Sequence, residues 1–94
     1  MISYVRQVSI CQSVRKNIEK SIAESGDIRF RAKISSIPTV ESILRAVSLN
    51  PNLNTEEELR AFMIKHILSD LHLTEDQQQQ FKINNDALRE HNTQ

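Results

Sequence analysis

Apolar residues recur along most of this chain at the three- and four-residue spacing of an amphipathic helix. Ile10, Val14, Ile18 and Ile22 follow one another at four-residue steps after Ser9-Ile10-Cys11-Gln12. Those four residues fit a capping box, in which the Ser hydroxyl and the Gln amide each satisfy an orphan backbone N–H. A first helix is therefore expected from about Ser9 to Gly26, whose freedom to adopt a left-handed conformation suits a helix end. Arg15–Glu19 and Lys20–Glu24 are possible ion pairs on its outer side, four residues apart. Before it, Ile2, Tyr4, Val8 and Ile10 alternate as a strand would, so residues 1–8 are left open between strand and helix.

Ile28, Phe30, Ala32 and Ile34 alternate with Arg29, Arg31 and Lys33, which predicts a short strand or extended connector over residues 28–34. Pro38 disfavours helix in the residue before it, and Thr39 is placed to cap a second helix that runs to about Leu49 with Val40, Ile43, Leu44 and Val47 as its stripe. Asn50-Pro51-Asn52-Leu53-Asn54 has the chemistry of a turn. Thr55-Glu56-Glu57-Glu58 is a second capping box, and its acids suit the positive end of a helix. The third helix carries Leu59, Phe62, Met63, Ile64, Ile67, Leu68 and Leu71, too many for one narrow stripe, so it is expected at the centre of the core with Phe62 as the residue most needed for folding. Thr74-Glu75-Asp76-Gln77 is a third box, opening a weakly held helix over about residues 75–90 whose apolar residues are Phe81 and Leu88.

The pattern predicts one mainly α domain over residues 1–94, a small bundle of about four helices with either one short strand or an extended connector near residues 28–34. Composition agrees: the chain has one Gly, two Pro, no Trp, one Tyr and three Phe among 94 residues, a poor supply for an all-β fold. No apolar run approaches the roughly 18 residues of a membrane span, since Ala61–Ile64 is ended by Lys65, and no membrane partner is expected. The lone Cys11 cannot close a disulfide within the chain, which points to a reducing cytoplasm. Net charge is zero, but residues 1–33 carry seven cations against three acids, a surplus of +4 that residues 34–94 must balance with −4.

Candidate chemistry is sparse. A single Gly leaves no phosphate-cradling loop, and there is no Cys pair or His-Glu-x-x-His for a metal, so no catalytic residue, metal or cofactor is expected and the protein is read as a non-enzyme. Cys11 lies near a helix start and Arg15, a setting that lowers thiol pKa values, although a lone Cys more often fills core. His66 and Asp70 share a face one turn apart, among the apolar residues of the third helix. They read as a pH switch or half a metal site, or, preferred, as a hydrogen-bonded pair at an interface or core edge. With Phe62 and Met63 they form the expected partner-binding set.

Cations at every second residue of a strand stand about 6.6 Å apart, so Arg29, Arg31 and Lys33 are candidates for contacting nucleic acid, or for guarding a strand edge against aggregation. The order strand, helix, helix over this region resembles that of ribbon-helix-helix DNA-binding proteins, some antitoxins among them. That resemblance of pattern implies a dimer whose paired strands enter the major groove, with Arg29, Arg31 and Lys33 reading bases. The chain differs from the family in a longer turn without Gly at Asn50–Asn54 and in a helix of about fifteen residues ahead of the strand. The preferred reading is instead a non-enzymatic protein-binding regulatory module, such as a small regulator, inhibitor, adaptor or chaperone. It is expected to act as a homodimer, because its third helix has more apolar surface than one small core covers.

Overall fold

A computed structural model describes residues 2–81, and among these the chain is helical from near its start with no strand. Helix α1 spans Tyr4–Ala23 and begins five residues before the box at Ser9. The cap is Ser3, whose hydroxyl accepts from the backbone N–H of Arg6 at 3.2 Å. Ser9 is then an exposed residue inside the helix. The alternation of residues 2–10 had a different origin: Ile2 and Val8 pack against the core, whereas Tyr4 and Val5 face outward. Gly26 has φ 76, the left-handed conformation foreseen for it, and follows the end of α1 at Ala23.

Residues 28–34 do not form a strand. Helix α2 covers Ile28–Arg31 and passes into a 3-10 turn over Ala32–Ser36. The physical reason is Asp27, whose carboxylate accepts from the N–H groups of Arg29 (2.9 Å) and Phe30 (3.4 Å) and so nucleates a helical turn. The apparent period of two also fails in burial, because Phe30 is fully buried while Ile28 is 80 % exposed.

Helix α3 spans Val40–Ser48 and α4 spans Glu56–Leu71. Thr39 caps the first through the N–H of Ser42 at 3.2 Å, and Thr55 caps the second through the N–H of Glu58 at 3.1 Å. Between them, the Asn50 side chain donates to the Ala46 carbonyl at 3.2 Å and closes α3. The third box is reciprocal as drawn from sequence: Gln77 N–H donates to the Thr74 hydroxyl at 3.2 Å, and Thr74 N–H donates to the Gln77 side chain at 3.1 Å. It opens a closing helical segment over residues 75–81. Phe81, one of the two apolar residues expected to anchor this helix, belongs to the core. Leu88 and the rest of the expected helix to residue 90 lie outside the described residues.

Two tethers set the topology. Arg6, near the start of α1, meets Glu56, at the start of α4, in a bidentate ion pair of 2.7 and 3.0 Å. Arg15, midway along α1, donates to the Pro38 carbonyl just before α3 at 2.9 Å and pairs with Glu19 at 3.9 Å. The starts of α1 and α4 therefore lie together, α1 packs against both α4 and α3, and α3 begins beside the middle of α1. The core lies between these three helices and is roofed by Phe30: Ile10, Cys11, Val14, Ile18 and Ile22 from α1 meet Ile43, Leu44 and Val47 from α3 and Leu59, Met63, Ile67 and Leu71 from α4. Each such side chain contributes about 1.5–3 kcal/mol on full burial. Cys11 is wholly buried, and burial raises its thiol pKa despite the opposing pull of Arg15, so it is core and not a reactive nucleophile.

Candidate docking groove

Helix α4 carries three adjacent apolar rows. Successive residues turn by about 100°, so Leu59, Met63, Ile67 and Leu71 make one gently drifting line, and this line faces α1 and α3. Met63 is fully buried in it and cannot belong to a contact surface. It is also more deeply buried than Phe62, which is only half-buried.

Phe62 and His66 form the row on one side of that line. Their rings stack with centroids 6.2 Å apart and planes at 12°. Asp70 is exposed, and no hydrogen bond joins it to His66 among the described residues. His66 Nε2 is buried without a hydrogen-bond partner there, so the expected His66–Asp70 pair is replaced by a ring stack on Phe62.

Ile64 and Leu68 form the row on the other side, both partly buried. After Leu71 the chain turns through His72, which adopts a left-handed φ of 49, and the capping box at Thr74 sets residues 75–81 beside this row. An open groove of about 1010 Å³ results, with Ala61, Ile64, Lys65, Leu68 and Ser69 on the α4 wall and Leu73, Glu75, Gln78, Gln79 and Phe81 opposite. Its floor is apolar. Lys65 and Glu75 are exposed on opposite walls, and neither forms an ion pair among the described residues. Gln78 is held in place by donating to the Leu73 carbonyl at 3.1 Å.

None of the partner-binding set named from sequence lines this groove. The signal for Ile64 and Leu68 was present as a second four-residue step beside the Leu59–Leu71 line. The contribution of Leu73 and Phe81 depends on the turn at His72, which spacing within one helix does not encode.

The basic row is dispersed by the helical turn. Arg29 and Arg31 stay exposed, but the Lys33 ammonium donates to the carbonyls of Leu71 (2.9 Å) and His72 (3.1 Å) at the end of α4. Lys33 thus satisfies carbonyls that a helix end leaves orphaned, where its charge also meets the negative pole. Without a strand over residues 28–34, the ribbon that the ribbon-helix-helix resemblance required is missing among the described residues.

Among the described residues, no three His, Cys, Asp or Glu side chains gather to hold a metal ion, and no helix is long and apolar enough to cross a membrane. Comparison with protein-family models, curated proteins and solved structures found no match to this chain.

Proposed function

We propose that this chain is a non-enzymatic protein-binding module, a regulator, inhibitor, adaptor or chaperone, that docks another protein in the groove between α4 and residues 75–81. One observation carries the reading: Ile64, Leu68, Leu73 and Phe81 line an open apolar groove whose rim is polar, the layout of a protein contact surface. Burying such a floor against an apolar partner surface removes it from water, while the mixed rim selects orientation. The same surplus of apolar surface on α4 supports self-association. A cytoplasmic setting is supported by the single thiol, Cys11, which stays free.

The test is capture from the native cell by the tagged full chain and by its Leu68→Arg and Ile64→Arg variants, with cooperative thermal unfolding as the folding control. A partner held by the wild type and lost by both folded variants supports the reading. A partner held equally by all three overturns it.

A further inference from the structure

We infer that the occupant of the groove is a second copy of this chain, seated about a two-fold axis so that Lys65 of each copy faces Glu75 of the other. The inference rests on the docking reading above and names the partner for that site. The groove presents on the α4 wall one cation and on the opposite wall one acid, neither of them ion-paired among the described residues, either side of an apolar floor. A strongly acidic or strongly basic segment would satisfy one wall and oppose the other. What fits is an apolar face bearing one charge of each sign in the reverse order, and a two-fold rotation of this same surface supplies that order, because in such an interface each residue meets its counterpart's partner.

Bulk charge offers little resistance. The whole chain is neutral, and residues 59–81 hold Arg60 and Lys65 against Asp70, Glu75 and Asp76, a net of −1 per copy. Docking would cover Ile64 and Leu68 with the equivalent row of the other copy. Both rows come from α4, a rigid sixteen-residue helix held at its start by Arg6 and at its end by Lys33.

The experiment measures the mass of the full chain by sedimentation from about 1 to 100 μM, a range in which interfaces of ordinary size associate. Lys65→Glu, Glu75→Lys and the double reversal Lys65→Glu/Glu75→Lys are run beside the wild type. Both positions are exposed, so all variants are expected to fold, and thermal unfolding checks this. The wild type should dimerise. Each single reversal should weaken the dimer by about tenfold or more, since like charges then oppose each other twice, and the double reversal should return toward wild-type affinity. A wild type that stays monomeric overturns the inference, as does a dimer indifferent to both single reversals or one that the double reversal fails to restore. A monomer whose cellular partner is still lost on Leu68→Arg overturns the second-copy assignment and leaves the docking reading standing. A monomer whose partner is indifferent to Leu68 overturns both.

Discussion

Replacing Lys33 with Met keeps most of the aliphatic stem and removes only the ammonium, so it isolates the tether between the 3-10 turn and the end of α4. In the native structure that ammonium makes two hydrogen bonds, 2.9 Å to Leu71 O and 3.1 Å to His72 O. A hydrogen bond from a charged donor is worth about 1.5–3 kcal/mol when dry, and a cation at a helix C-terminus adds about 0.3–1 kcal/mol. Lys33 is half-buried, and water can replace part of what is lost, so the expected net cost is about 1–2 kcal/mol. With a urea dependence near 1 kcal/mol/M for a chain this size, the midpoint of unfolding should fall by about 1–2 M. Arg29→Ala and Arg31→Ala, at exposed positions of the same segment, should each stay within about 0.5 kcal/mol of wild type. Urea titration followed by far-ultraviolet circular dichroism decides the matter. A Lys33→Met variant as stable as wild type, or one no worse than the two arginine variants, would refute the tether.

Phe30→Ala and Met63→Ala should each cost about 2–5 kcal/mol and leave little stability, because both side chains are fully buried, whereas the half-buried Phe62→Ala should cost less; chemical denaturation of the three variants gives the order. His72→Gly should stabilise by about 0.5–1 kcal/mol, since the left-handed φ of 49 costs His more than Gly and the carbonyl that Lys33 grips is retained; an unchanged midpoint would count against strain at this residue. Hydrogen bonding to Arg6 lowers the Glu56 pKa, so the stability it contributes is present above the unfolded carboxyl value of about 4.3 and is lost as pH falls through the folded value; Glu56→Gln should flatten that acid limb. Burial raises the Cys11 pKa, so its share is present below the unfolded thiol value of about 8.5 and declines as pH rises above it, an alkaline limb that Cys11→Ala should remove.

The parts of the fold visible in the sequence are those set by interactions within a turn or two. Thr39, Thr55 and Thr74 cap where the spacing of hydroxyl and backbone N–H dictates, and the four-residue steps of α1, α3 and α4 find their buried faces. At residues 28–34 two local signals competed. The alternation of Ile28, Phe30, Ala32 and Ile34 favoured a strand, but a strand needs a partner to pair with, whereas the Asp27 cap acts on the residues immediately after it. Phe30 and Ile34, one helical turn apart, are the two that reach the core. The candidate site was half legible. The surplus of apolar surface on α4 could be read directly, but the side left open was decided by the return of Leu73 and Phe81 across Ile64 and Leu68, a tertiary event.

The side-by-side arrangement of α1 and α4 bears on the order of events during synthesis. α1 is complete at Ala23, yet the α4 residues that cover it end at Leu71, 48 residues later. At a ribosomal rate of about 5–20 residues per second, the row Ile10, Val14, Ile18 and Ile22 waits roughly 2–10 s for its full cover. α3 offers a partial shield once Ser48 has emerged. The nascent chain therefore passes through a stage in which a twenty-residue amphipathic helix is exposed, and the time spent there is set by translation and not by the intrinsic speed of helix packing.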